Sequence, residues 1–220
     1  MPEILKIDAD NSEKIILTRA AEILVGGGII AYPTETFYGL GADATNEKAI
    51  EKIFAVKGRN LKNPISLIIG QADDIHPLVQ DVPQAAKKLM AAFWPGALTI
   101  VFLAANNVSP LLTGGSGKIG LRVSSHPGAR GIVQKMKRPL TATSANLSGA
   151  PECTRASEVL EQIGDKIDAI IDLGNTQGAK GSTIIDVICD PPFILREGAI
   201  SRKTIEQYID ALKPAQKISV

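Results

Sequence analysis

The sequence predicts an α/β fold: a twisted, mixed β-sheet flanked by helices. Short apolar runs of strand length alternate with segments whose apolar residues recur at helical spacing, from one end of the chain to the other. No Pro/Ser-rich linker, internal repeat or low-complexity tract breaks the alternation. The 220 residues therefore read as one domain over 1–220, with a core over about 13–200 and a C-terminal helix over about 203–212.

Ile4, Leu5 and Ile7 predict a first strand. Asp10, Asn11 or Ser12 can cap a helix from Glu13 to Val25, whose residues Ile16, Leu17, Ala20, Ile23 and Leu24 share a face, and Gly26-Gly27-Gly28 ends it. Ile29 to Tyr32 reads as a strand, followed by a hydroxyl-rich loop, Pro33-Thr34-Glu35-Thr36-Phe37-Tyr38-Gly39. A helix from about Asn46 to Val56 follows, closed by Lys57-Gly58-Arg59, with Gly58 suited to a left-handed C-terminal position. Ile65 to Ile69 is the next strand.

Beyond Gly70 the pattern predicts a short helical passage (Asp73 to Val79), then a helix from Pro83 to Phe93 stopped by Trp94-Pro95-Gly96. Ala97 to Leu103 is an apolar strand, Asn106 to Ser116 a polar loop, and Gly120 to Val123 a strand that contains Arg122. A helix from Ala129 to Met136 leads to strand Leu140 to Thr143, which runs into Ser144-Ala145-Asn146-Leu147-Ser148-Gly149. Helix Ala156 to Ile163, strand Ala169 to Asp172 and strands Ser182 to Ile188 and Phe193 to Arg196 complete the core. Ile205, Tyr208, Ile209 and Leu212 align on one face of the closing helix.

Composition excludes several classes. An apolar fraction of 45% and a charged fraction of 21% are ordinary for a globular protein, and a net charge of +1 gives no general affinity for nucleic acid or membrane. Cys153 and Cys189 have no CxxC neighbour, which argues against a disulfide scaffold or zinc site and for a reducing, cytoplasmic compartment. His76 and His126 are isolated, so no residue is assigned to a metal. The first ten residues carry acidic side chains and are not a signal peptide, and no run of about 18 apolar residues spans a membrane.

Familiar motifs fail. Gly114-Gly115-Ser116-Gly117-Lys118 resembles a phosphate loop, but Leu112 stands at the first glycine position and Ile119 follows the lysine, so it reads as a surface turn. Gly39-x-Gly41-x-x-Ala44 fits a dinucleotide fingerprint only in part. There is no GxSxG elbow. What remains is a set of anion and hydroxyl ligands at strand ends. Lys57 and Arg59 close a helix, with Asn63-Pro64 close by, and Arg is suited to a bidentate grip on phosphate. Thr34, Thr36 and Tyr38 fill one loop, and Ser144 and Asn146 another; Ser182-Thr183 opens a strand. Arg122 and Arg196 sit in or at the end of apolar strands, where an arginine needs a partner or a ligand. Without a nucleophile, chemistry by positioning and charge neutralisation follows, as in phosphoryl or nucleotidyl transfer.

Seven blocks occur in order: Pro33-Thr34-Glu35-Thr36-Phe37-Tyr38-Gly39-Leu40, Lys57-Gly58-Arg59, Phe93-Trp94-Pro95-Gly96-Ala97-Leu98-Thr99, Leu121-Arg122-Val123, Ser144-Ala145-Asn146-Leu147-Ser148-Gly149, Ser182-Thr183-Ile184-Ile185-Asp186 and Leu195-Arg196-Glu197-Gly198. Together they resemble the YrdC-type threonylcarbamoyl-AMP synthases of the YrdC/YciO-like superfamily, over nearly the whole chain. The resemblance implies a YrdC-like domain with a concave basic cavity, in the short single-domain form. It implies condensation of L-threonine, bicarbonate and ATP, with Mg²⁺ arriving on ATP, to threonylcarbamoyl-AMP and pyrophosphate. Downstream threonylcarbamoyl transferase proteins then modify tRNA at position 37 (the t6A modification). It implies Lys57 and Arg59 as the catalytic cations, and Thr34, Tyr38 and Arg122 as the threonine site. Lys57, Arg59, Asn63, Ser144, Asn146, Ser182 and Arg196 are implied as the ATP site. The sequence departs from some members: Asn60 replaces a proline, Ile68 a histidine and Glu152 a serine. The alternative on the same fold is a non-catalytic double-stranded RNA-binding or ribosome-assembly module that binds RNA directly.

Overall fold

In the computed structural model, which describes residues 1–7, 12–178 and 180–213, helices begin and end where single residues dictate. Strand β1 (Glu3–Lys6) leads to helix α1 (Glu13–Val25), which starts after Ser12. The other candidate caps, Asp10 and Asn11, lie outside the described residues. Strands β2 (Ile30–Pro33) and β3 (Tyr38–Gly41) form a hairpin. Helix α2 (Glu47–Lys57) begins at Asn46, whose side chain accepts from Ala49 N, and ends at Gly58 in the left-handed region, φ 58°. Strand β4 (Ser66–Ile68), a 3₁₀ turn at Ala72–Ile75, helix α3 (Gln84–Phe93) and strand β5 (Leu98–Leu103) follow. Then come α4 (Pro110–Thr113), β6 (Lys118–Arg122), α5 (Pro127–Met136) and β7 (Leu140–Ser144). The last elements are α6 (Ala156–Ile163), β8 (Ala169–Asp172), β9 (Thr183–Asp186), β10 (Phe193–Arg196) and α7 (Arg202–Ile205).

The strands form one ten-stranded sheet in the order β1-β8-β2-β3-β7-β4-β6-β5-β9-β10. It is mixed: β1/β8, β2/β8, β4/β6 and β5/β9 are parallel, and the remaining neighbours are antiparallel. Its two faces differ. One carries the larger core, where Leu40, Leu67, Ile100, Leu121 and Ile185 meet apolar residues of α2, α3, α6 and α7. On the other face, α1 and α5 pack on Leu5, Ile30, Tyr32, Ile68, Leu140, Ala169 and Ile171. That second core takes no residue from β5, β6, β9 or β10 among those described. Half of the second face therefore carries no helix.

The alternation of side chains along a strand makes this workable. In β5, Leu98, Ile100 and Phe102 enter the larger core, which leaves Thr99 on the opposite face. In β6, Ile119 and Leu121 do the same, leaving Gly120 and Arg122. In β9, Ile185 is core and Ile184 is not.

Two expectations are corrected. The hydroxyl-rich loop is shorter than predicted, because Tyr38 and Gly39 already belong to β3, with Tyr32 opposite Gly39 and Pro33 opposite Tyr38. Two glycines and a tyrosine give a weak strand signal by composition; what fixes the strand is the Tyr32 ring lying across Gly39 and Gly41. The tail is not a helix to about 212: it makes one helical turn, then i→i−3 bonds from Gln207 to Thr204 and Tyr208 to Ile205. Lys213 N donates to Pro192 O and Arg202 donates to Lys213 O, so the segment folds back against the β9–β10 end. Lys213 also precedes Pro214, which disfavours helical backbone. Ile205 and Ile209 are still buried, whereas Tyr208 stays partly exposed with its ring edge on Phe93.

Tyr32 is fully buried, and its hydroxyl donates to Thr141 O at 2.8 Å. A Cβ on Gly41 would fall 2.7 Å from the Tyr32 ring and 2.8 Å from Leu140 Cδ1. Gly41→Ala is therefore expected to destabilise the protein by about 1–3 kcal/mol through overpacking, measured by urea denaturation. Wild-type stability would show that the hairpin does not depend on this contact.

Candidate functional site

The bare half of the second face is a concave, open cavity of about 200 Å³. Its floor is the set left over by the alternation: Ser66, Thr99, Gly120, Arg122 and Ile184 stand on β4, β5, β6 and β9, and all but Gly120 appear on the cavity wall itself. Gly120 keeps the floor low, since a Cβ there would lie 2.6 Å from Ser66 Oγ and 3.1 Å from Thr99 Cγ2. The β2–β3 turn supplies Thr34, Thr36 and Phe37 on one side. Arg59, Thr143 and Ser144 form another side, and Glu152, Gly181, Ser182 and Arg196 a third.

Polar groups on this surface satisfy one another. Thr34 Oγ1 donates to Phe37 O (2.7 Å) and accepts from Thr36 N (3.1 Å), which fixes the turn. Glu35 and Arg122 form an ion pair at 3.1 Å, with side chains 12% and 8% exposed. Glu35 Oε1 lacks a well-aligned hydrogen bond, so the contact is one of charge more than of direction. The other carboxylate oxygen accepts from Ser124 Oγ. Ser182 Oγ lies 3.0 Å from Thr99 Oγ1, and Arg196 donates to Ser182 O (2.9 Å) and Ser182 Oγ (3.2 Å). Thr183, facing the other way, donates to Ile200 O and accepts from Gly198 N, which anchors the end of β10 that carries Arg196.

Lys57 and Arg59 diverge. Gly58 turns the chain, and the Arg59 guanidinium crosses the cavity edge to Thr143 Oγ1 (3.0 Å) and Pro64 O (3.0 Å). Arg59 is half-buried, and that burial lowers its pKa. Lys57 stays in the helix, 5% exposed, and is absent from the cavity wall. Its ammonium donates to Ser144 O (2.5 Å), Asn146 O (2.9 Å) and Asn146 Oδ1 (3.1 Å). Burial, helped by the nearby Arg59 charge and opposed by Glu152 and Cys153, lowers its pKa to about 8.

Comparison with known proteins fits this geometry. The family model Sua5_yciO_yrdC, described as "Telomere recombination", matches residues 22–198. The chain belongs to the Sua5/YciO/YrdC family. Over 194 residues it is 38% identical to a Pyrococcus abyssi protein named threonylcarbamoyl-AMP synthase, an alignment covering 88% of this chain and 57% of that one. A Photobacterium profundum protein of the same name is 36% identical over 83% of this chain and 98% of its own length. The crystal structure of P. abyssi Sua5 complexed with L-threonine superposes with a TM-score of 0.89 at 36% identity, over 95% of this chain and 61% of that chain. The chain thus spans little more than half of the longer P. abyssi relative.

Within this Sua5/YciO/YrdC fold, Thr34, Tyr38, Arg59, Arg122, Ser144, Ser182 and Arg196, expected from the sequence as ligand residues, meet on one cavity. Three others do not reach its wall. Lys57 and Asn146 lie buried behind the 144–146 turn, and Asn63 sits in an exposed loop. Tyr38 lines the cavity, but its hydroxyl donates to Gly174 O (2.9 Å), tying down the segment after β8. Ile68 shares a strand face with Ser66 yet is fully buried in the second core. The Gly114–Lys118 run is a helix C-cap: a Cβ on Gly114 would meet Lys62 O at 2.3 Å, and Lys118 pairs with Asp186 at 2.9 Å. Sequence reasoning passed over Ser66, Thr99 and Gly120 as floor residues. Each is a small or polar residue off the core row of a largely apolar strand.

Arg122→Met leaves the largely buried Glu35 carboxylate without its cation. It is expected to cost about 3–5 kcal/mol in urea denaturation, and the double variant with Glu35→Gln is expected to cost less than the sum of the single changes. Additive costs would mean that the two side chains are not energetically coupled.

Proposed function

We propose that the chain is an L-threonylcarbamoyladenylate synthase, a nucleotidyltransferase acting on L-threonine, bicarbonate and ATP. The observation that carries this is one cavity holding three arginines, Arg59, Arg122 and Arg196, among hydroxyls and small residues, with no cysteine or histidine among the described residues of its wall. Relatives of that name and the threonine complex of P. abyssi Sua5 support the choice of substrates.

The chemistry needs positioning and charge. The threonine amine adds to bicarbonate and water leaves, giving a carbamate. A carbamate oxygen then attacks the α-phosphorus, the bond to the β-phosphate oxygen breaks, and pyrophosphate departs. Arg59 and Arg196 face the anionic phosphates, and Ser144 and Ser182 offer hydroxyls beside them. Arg122, already balanced by Glu35, suits a zwitterion: the guanidinium takes the threonine carboxylate, and the Glu35 carboxylate lies next to the amine. Thr34 and Thr36 stand at that end. Among the described residues no cluster of His, Cys, Asp or Glu forms a metal cage. Mg²⁺ bound chiefly by phosphates needs only one or two protein carboxylates, which Glu152 on the cavity wall fits. When bound, the ion shares the phosphate charge. The product would pass to threonylcarbamoyl transferase proteins acting on tRNA position 37, in the cytoplasm.

With Mg-ATP, pyrophosphate release is expected to require both threonine and bicarbonate. Release that ignores either substrate sinks the proposal. Arg59→Ala is expected to lower kcat/KM for ATP by about a hundredfold or more, while losing only about 1 kcal/mol of stability. Unchanged kinetics would remove Arg59 from the phosphate site.

A further inference from the structure

We propose that Lys57 is a positioning residue: from behind the cavity it holds the 144–148 turn in the shape that presents Ser144 to the nucleotide, leaving the phosphates to Arg59 and Arg196. The role of the turn in nucleotide binding rests on the function proposed above; the hold on the turn does not.

The geometry of the turn is the argument. Lys57 grips it from both ends of the residue. Its ammonium donates to Ser144 O, Asn146 O and Asn146 Oδ1, and its carbonyl accepts from Ser148 N at 3.2 Å. An ammonium has three protons, and three acceptors surround this one. Asn146 is the second half of the device. Its Oδ1 also accepts from Ser144 Oγ (2.6 Å), and its Nδ2 donates to Ala150 O (2.6 Å). The turn is further tied by Ala145 N to Tyr38 O and Leu147 N to Gln162 Oε1. Ser144 is the part of this assembly that reaches the cavity wall, and Lys57 does not.

The charge environment gives the device a pH dependence. Arg59 opposes the Lys57 proton, whereas Glu152 and Cys153, from the segment after the turn, favour it. With a pKa of about 8, the ammonium is present at neutral pH and lost above it. Loss of the proton withdraws a donor from carbonyls that were packed around a cation. The turn therefore loosens as pH rises through about 8. Global stability moves the other way. A lysine with a folded pKa below its unfolded value binds more protons unfolded, so stability rises with pH between about 8 and the ordinary lysine value of 10.5. Opposite responses of the turn and of the whole fold are a signature that simple destabilisation does not produce.

The experiment compares wild type with Lys57→Met and Lys57→Arg. Amide hydrogen exchange of residues 144–150 is measured in the ligand-free protein at neutral pH, and KM for ATP and for threonine in the synthase assay. In Lys57→Met, exchange is expected to accelerate in 144–150 and not in β5 or β6. KM for ATP is expected to rise by roughly tenfold or more, with KM for threonine within about twofold. Lys57→Arg, charged at every accessible pH, is expected to remove the loosening of the turn above pH 8. Unaltered exchange in a folded Lys57→Met protein overturns the proposal, and weakened ATP binding beside unaltered exchange would assign Lys57 to the phosphates directly. Should Lys57→Met not fold, ¹³Cε titration of Lys57 in the wild type replaces it: the turn's exchange, corrected for intrinsic base catalysis, must rise with the Lys57 titration, and a turn indifferent to it refutes the idea. A wild-type protein that binds no Mg-ATP would overturn the synthase function, while the exchange comparison still decides the role of Lys57.

Discussion

The structure depends on one constraint: among the described residues, half of one sheet face carries no helix. A strand in such a sheet buries one row of side chains and must find polar or small residues for the other. β5 and β6 meet this with Thr99, Gly120 and Arg122 opposite the core row of Leu98, Ile100 and Leu121, whereas β9 leaves the apolar Ile184 on the cavity wall opposite Ile185. An uncovered arginine or threonine at the centre of a sheet still needs partners, because a cavity wall is only partly wet. The surface therefore binds itself: Thr99 to Ser182, Ser182 to Arg196, Arg59 to Thr143, Arg122 to Glu35. These contacts fix the cavity-facing groups in place, which is what catalysis by positioning, the function proposed above, requires.

A single left-handed residue divides the labour of two cations. Lys57 is the last residue of α2, and Gly58 at φ 58° reverses the chain so that Arg59 points elsewhere. In a continued helix, residues two apart would have pointed to nearly opposite faces, about 200° apart. Here one ammonium is spent on carbonyls inside the protein, where a point charge with three protons suits three scattered acceptors. The planar guanidinium stays at the cavity edge.

Much of this was legible in the sequence, for identifiable reasons. The bounds of α1 and α6 follow from apolar spacing, and the end of α2 from one glycine. The cavity residues were visible as charges and hydroxyls at the ends of apolar strands. What was not legible depends on contacts distant in sequence. β3 is a strand because Tyr32 needs glycines beneath its ring. The tail stops being helical because Lys213 pairs with Pro192. The family resemblance implies Lys57 as a phosphate ligand, whereas its ammonium's bonds to the Ser144 and Asn146 carbonyls, some ninety residues away, cannot be read from the sequence. Ser66, Thr99 and Gly120 escaped notice because a small residue in a strand gives no chemical signal until the missing helix above it is seen.

The distribution of charge over the cavity bears on which substrate lies where. Arg122 and Glu35 neutralise each other at the β2–β3 end, so an anion gains little there over water, whereas a zwitterion can replace both halves of the pair at once. Among the described residues, Arg59 and Arg196 make their hydrogen bonds to hydroxyls and carbonyls and no salt bridge, although the Glu152 carboxylate favours the Arg196 charge from further away. Partial burial lowers the pKa of both, which is the mark of a cation held short of solvation. A polyanion entering this cavity restores what burial has taken away. On the function proposed above, the same field would sort an amino acid to one end and a triphosphate to the other. Beneath the cavity, Gly120 lets Ser66 and Thr99 pack side by side, where a Cβ would crowd both.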